Sequence, residues 1–178
     1  LKGTTWAESE WRTITFDAED TNRVSISDVD ATYSVSGSTV SFDLTQGVRL
    51  YKSMTLDTYI KMLIRKAENS IAKLEKQLEA AKKANNQAAV SKIQESLKIP
   101  RAVLEWLKNL TAEDKQKLTE DVESAKRSAA KLEPFAKFTG TLNQEKTKLT
   151  IDKFPVPVLK EDHTLDRFET KALTFTKE

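Results

Sequence analysis

The chain has 178 residues, 38% hydrophobic and 31% charged, which is enough to bury a real core and too apolar for a disordered segment. Its 29 basic and 27 acidic residues leave a net charge of +2, so charge alone gives no ground for a nucleic-acid or anionic-membrane partner. With no cysteine and a single histidine, disulfide scaffolds, thiolate zinc sites, cysteine nucleophiles and histidine metal clusters are all excluded.

From Leu1 to Tyr51 the chain reads as short strands rich in Thr, Ser and Val, separated by turn residues. Trp6, Trp11, Ile14 and Phe16 supply the first large apolar groups, and residues 17–22 form a polar connection. Val24 and Ile26 alternate with Ser25 and Ser27, giving one apolar and one wet face. The clearest hairpin spans Ala31 to Leu44, with Gly37 in a turn where positive φ is cheap. A further strand is expected around Val48–Tyr51.

The hydrophobic period then changes from two to about 3.6. Ile60, Leu63, Ala67, Ile71, Leu74, Leu78 and Ala81 mark one stripe of a long helix that Asn85 and Asn86 end. A second helix carries Val90, Ile93 and Leu97 and meets Pro100, which either kinks it or starts a new one before Val103–Leu110. Thr111 and Asp114 have the spacing of a capping box for a last helix, striped by Leu118, Val122, Ala125, Ala129 and Leu132 and closed by Pro134. These elements make a three-helix packet.

Strand character returns at Phe135, with a hairpin around "NQEK" and a final strand over Phe168–Thr176. Pro155 and Pro157 exclude a central strand at their positions and mark an edge or a loop. The expected fold is α+β: a small antiparallel β-barrel of about eight strands, residues 1–54 plus 135–178, interrupted by an inserted helical bundle at 55–133. An odd number of helices lying along a barrel would place residues 52 and 136 at opposite rims.

The segments "LKGTTW", "YSVSGSTVSFDL", "FTGTLNQEKTKLTI" and "LTFTKE" resemble the lipocalin-like (calycin or META-like) domains of Bacteroides-type extracytoplasmic lipoproteins, with Gly3 and Trp6 at the Gly-x-x-Trp start. The resemblance covers the two β arms, and the helical block stands where such barrels normally have a loop. It implies an extracytoplasmic protein, lipid-anchored through a segment upstream of Leu1, at a bacterial outer membrane or cell surface. The membrane would be engaged only through that anchor.

Residue chemistry offers no catalytic site. His163 sits in a charged loop near Asp162 and Asp166, where a solvated role is the simple reading. Asp17, Glu19, Thr21 and Asp28 echo a calcium loop, but Asn22 stands where such a loop needs Gly, Arg23 intrudes and the flanks are strands, so a plain turn is expected. No phosphate-binding Gly-rich loop, nucleophile elbow or distinguished carboxylate pair is present, and no cofactor or metal is implied. The expected function is therefore a non-enzymatic interaction domain, presenting a helical face around Trp106 and Leu107 to a protein partner. One alternative is a carrier whose barrel holds a small apolar ligand among Trp6, Trp11, Phe16, Tyr33 and Phe42, although these tryptophans also suit a barrel core. A second is membrane-surface binding, since residues 55–133 hold 16 basic and 12 acidic side chains.

Overall fold

The computed structural model describes all residues, 1–178. Eight strands close an antiparallel barrel in which each pairs with the next: β1 (Thr5–Ser9), β2 (Arg12–Phe16), β3 (Arg23–Ile26), β4 (Val29–Ser36), β5 (Thr39–Asp43), β6 (Lys137–Leu142), β7 (Lys148–Leu159) and β8 (Leu165–Lys177). The ring is completed by Trp6 pairing with Lys177 and Ala7 with Thr176. Between β5 and β6 come four helices, α1 (Thr45–Lys52), α2 (Leu56–Lys83), α3 (Gln87–Lys108) and α4 (Ala112–Leu132). The chain thus has the expected class, a β-barrel with helices inserted between its fifth and sixth strands. It divides into two compact units, Leu1–Ser53 with Ala125–Glu178, and Met54–Ser124.

In the barrel unit, alternation along each strand sends one face inward. Trp6, Ile14, Phe16, Val24, Ile26, Val40, Phe42, Leu149, Ile151 and Phe175 are all buried. Each such aliphatic or Phe side chain contributes about 1.5–3 kcal/mol by leaving water. Hairpin geometry follows the turn residues. Ser36 pairs with Thr39, leaving Gly37 (φ 61°) and Ser38 as a two-residue turn. Ile26 pairs with Val29 across Ser27 and Asp28, which both take positive φ. At the "NQEK" hairpin the Asn143 Oδ1 accepts the N–H groups of Thr147 (2.8 Å) and Lys148 (2.9 Å).

Pro155 and Pro157 lie inside β7, and the register explains how. Glu178 donates its N–H to the Thr5 carbonyl, so even-numbered backbone groups of β8 face β1 and odd-numbered ones face β7. Leu149 pairs with Phe175 and Ile151 with Leu173, whereas Phe154 pairs with Lys171 and Val156 with Glu169. One extra residue, a β-bulge at Asp152–Lys153, has exchanged the two edges of β7. Beyond it the even residues face β8. Pro155 and Pro157 face away from it, where a missing N–H breaks no ladder bond. The edge expected for these prolines is therefore created by the bulge.

Two expectations need correction, and one of two alternatives is decided. The stretch around Val48–Tyr51 is not a strand but part of α1, an amphipathic helix that buries Gly47 and Val48. Of the two readings of Pro100, the start of a new helix is excluded, because α3 runs through it. Residues 52 and 136 do not lie at opposite rims, for Lys52 and Glu133 form an ion pair at 2.6 Å and the Leu44 N–H donates to the Ala136 carbonyl at 2.7 Å. Three helices, α2, α3 and α4, still separate Lys52 from Glu133, so what fails is the assumption that all three run antiparallel along the barrel.

The last two turns of α4 belong to the barrel unit. Ala129 is in its core, and Lys131 Nζ donates to the carbonyls of Leu165 (3.2 Å) and Asp166 (2.8 Å). In the helical unit, Ala67 of α2, Val90, Leu97 and Leu107 of α3, and Leu118 and Val122 of α4 are buried. The caps are those the residue types dictate. Thr55 Oγ1 accepts the Thr58 N–H (3.2 Å), and Asn86 Oδ1 accepts the Ala89 N–H (3.1 Å). Thr111 and Asp114 close a reciprocal capping box at 3.0 and 3.1 Å.

Gly47 makes a test of how α1 meets β4. Alanine usually improves a helix interior by about 1 kcal/mol over glycine. Here its Cβ would overlap the Asp30 carbonyl oxygen and lie 3.1 Å from a Val29 methyl. Gly47→Ala is expected to destabilise by about 1–3 kcal/mol, a fall of several degrees in the thermal midpoint. An unchanged or raised midpoint by calorimetry would contradict that packing.

Candidate functional site

The five residues expected to hold a small ligand are not brought together as a pocket wall. Trp6 is only 1% exposed, with its indole N–H donating to Thr4 Oγ1 at 2.8 Å. Trp11 is 85% exposed, so it is not in the barrel core as its neighbours Ile14 and Phe16 are. The reason is the register: Ser9 pairs with Arg12, leaving Glu10 and Trp11 as the two residues of the β1–β2 turn.

Phe16, Tyr33 and Phe42 do meet, but as parts of a packed line. Tyr33 sets its edge on Phe16 with centroids 4.7 Å apart, and Phe16 lies 6.3 Å from Phe42. The line continues from Phe42 to Phe138 at 5.2 Å, to Phe154 at 5.5 Å and to Phe175 at 5.2 Å. These separations are those of favourable aromatic pairs, each adding about 0.5–1.5 kcal/mol beyond area burial. Burial pushes the Tyr33 hydroxyl pKa up, and nearby Asp20 adds to the effect.

The helical unit offers a different geometry. Along α3, Ile99 (73% exposed), Val103 and Trp106 (42% exposed) recur at steps of four and three and therefore share one face. Beside them runs a groove of about 530 Å³ between α2 and α3, walled by Leu63, Ala67, Leu74, Pro100, Val103 and Trp106. Lys66 is at its margin. Leu107, expected beside Trp106 on a partner face, is instead buried at the groove floor. Asp114 accepts the Thr111 N–H and bonds its hydroxyl, which hold its carboxyl below the usual carboxylate range, with a smaller contribution from the Trp106 side chain. The Trp106 ring is 42% exposed beside the groove. Ile99 is not among the sequence-derived site residues, and Val103 appears there only as part of the apolar piece after Pro100; the steps of four and three from Ile99 to Trp106 are the signal that links them.

The remaining candidates behave as turns. Asp17 Oδ1 accepts the N–H groups of Glu19 (2.7 Å) and Asp20 (2.9 Å), and these bonds, Asp20 first, lower its pKa. His163 sits exposed at positive φ between β7 and β8, where Asp162 Oδ1 accepts the Thr164 N–H at 3.0 Å. No group of three or more His, Asp or Glu side chains is placed to hold a metal ion, and no helix is long and apolar enough to cross a membrane.

Two further clefts belong to the barrel unit. One, about 410 Å³, lies among Trp11, Val29, Leu132, Pro155, Pro157 and Phe168. The other, about 730 Å³, is lined by residues 32–34 of β4, 41–43 of β5, 137–139 of β6, and Asp152 and Lys153 of β7. Comparison with protein-family models, curated proteins and solved structures returned no match.

Asp43, on the larger cleft, gives a pH prediction. The Thr45 side chain and the Thr45 N–H (2.9 Å) hold its carboxyl below the usual range, assisted by Lys137 at 3.6 Å. A carboxylate depressed in the folded state stabilises above the unfolded pKa and loses that contribution as pH falls through the folded pKa. Asp43→Asn should therefore lower the midpoint at neutral pH and flatten the acid limb of the midpoint-against-pH curve. Parallel acid limbs in the two proteins would contradict the assignment.

Proposed function

We propose that this protein is a non-enzymatic interaction domain that takes an amphipathic helix of a partner protein into the α2–α3 groove. The carrying observation is the row Ile99, Val103 and Trp106 along α3, apolar and exposed beside a groove of helix-binding composition. A helix laid there would anchor apolar residues at i, i+3, i+4 and i+7, with Trp106 as the central aromatic contact. Lys66 at the margin and the basic excess of residues 55–133 favour a partner helix whose polar face is acidic.

Two other uses have less support. A carrier needs interior space, and the ring line from Tyr33 to Phe175 occupies the barrel. Membrane-surface binding by the basic helices rests on a mild charge excess alone. An extracytoplasmic, lipid-anchored setting at a bacterial outer membrane or cell surface accompanies the proposal through the likeness of the β arms to lipocalin-like lipoprotein domains.

The test is a titration of the ¹⁵N-labelled protein with a synthetic helical peptide of about 18 residues, five turns long, with leucines on one face and glutamates on the other. The Trp106 indole resonance and the amides flanking Leu63, Leu74 and Val103 should shift and saturate. Ile99→Asp should abolish the shifts without moving the thermal midpoint, because Ile99 is exposed. No shift up to about 1 mM, where binding would be worth only about 4 kcal/mol, would sink the proposal, as would undiminished binding by Ile99→Asp.

A further inference from the structure

The α2–α3 groove is walled mostly by apolar side chains, but one backbone group beside it lacks its helical partner. Ser96, Ile99, Pro100, Val103, Trp106 and Leu107 are the α3 residues that line the groove. Their steps of three, one, three, three and one keep them on one face of the helix, with Pro100 inside the row.

An interior residue of an α-helix gives its N–H to the carbonyl four residues back, and proline has no N–H to give. Because α3 runs unbroken from Gln87 to Lys108, the carbonyl that loses its donor is that of Ser96. Helical carbonyls point toward the C-terminus, so this oxygen is directed at the Pro100 ring, on the face that lines the groove. The Ser96 hydroxyl does not relieve it, since its single proton goes to the Lys92 carbonyl at 3.0 Å. Ser96 is exposed, so water reaches the oxygen in the free protein.

A bound helix changes that balance. An unbroken apolar stripe laid over the groove removes the water and leaves an acceptor without a donor, which weakens binding by roughly fivefold to a hundredfold. A side chain that brings an N–H recovers the loss. Ser70, the other hydroxyl on the groove wall, both donates and accepts and so makes no such demand.

We propose that the groove selects a partner helix whose apolar face is interrupted by one N–H donor, a Gln, Asn, Lys or Arg side chain, bonded to the Ser96 carbonyl that Pro100 leaves free. The contact presupposes a helix in the groove and sets the chemistry and register of that helix, because only one position of its stripe meets the oxygen. Pro100 is then a specificity-determining residue through the bond it does not make.

The experiment uses the leucine-and-glutamate helical peptide together with a set in which each leucine in turn is replaced by glutamine. Each peptide is titrated into the intact parent and into Pro100→Ala. Alanine supplies the missing N–H and is the better helix former, so the variant is expected to fold. At most positions glutamine should weaken binding by the same factor in both proteins. At one position the loss should be at least about fivefold smaller for the parent than for Pro100→Ala, the coupling of a double-mutant cycle. Equal losses in the two proteins at every position, or a difference shared by all positions, would overturn the contact and leave the groove standing. No binding of any peptide to either protein would overturn both. Should Pro100→Ala fail to fold, the parent decides alone: the Ser96 carbonyl ¹³C resonance should move further downfield with one glutamine peptide than with the all-leucine one, and equal shifts throughout would overturn the contact.

Discussion

A closed barrel of eight strands leaves an interior that must be filled by something, and here a line of touching rings fills it together with Trp6 and buried aliphatic side chains such as Ile14, Val40, Leu149 and Ile151. Tyr33, Phe16, Phe42, Phe138, Phe154 and Phe175 come from β4, β2, β5, β6, β7 and β8, so the line ties together both arms of the sequence. Phe42 to Phe138 is the step that crosses from one arm to the other, and those two residues are also direct partners in the β5–β6 ladder. The helices can be spliced in at this point because the strands on either side are held to each other regardless of what lies between. The Lys52–Glu133 ion pair is exposed and adds little to that hold. Apolar packing and the ladder maintain it.

With the barrel interior lined by packed rings and aliphatic side chains, the distinctive exposed apolar surface is in the helical unit. It is the row Ile99, Val103 and Trp106 of α3, apolar side chains left outside the core.

Much of this organisation is legible in the chain. The change of period near residue 55, the turn at Gly37 and the Thr111–Asp114 box are local signals whose physics is complete within a few residues, and they appear where the sequence places them. The misses share a cause: each depended on what a residue faces. Trp11 stands three residues before Ile14, off the alternation of Ile14 and Phe16, and falls on the turn. Val48–Tyr51 carries apolar residues that fit either period over so short a span, and only its packing on β4 makes it helical. Pro100 leaves two readings open in the sequence, a kink or a new helix, and only the continuous α3 joins Ile99 to Trp106 on one face. The bulge has no marker of its own, because Asp152 and Lys153 look like any polar pair in an edge strand.

The central claim is that the barrel is a packed scaffold and not a container. It is tested most directly by extracting the purified protein with organic solvent for mass spectrometry, and by titrating it with a fluorescent fatty-acid probe. The packed barrel predicts no co-purifying apolar molecule and no saturable probe binding. Near-stoichiometric ligand in the extract, or saturable probe binding that perturbs the resonances of Phe16, Phe42 and Phe138, would contradict it.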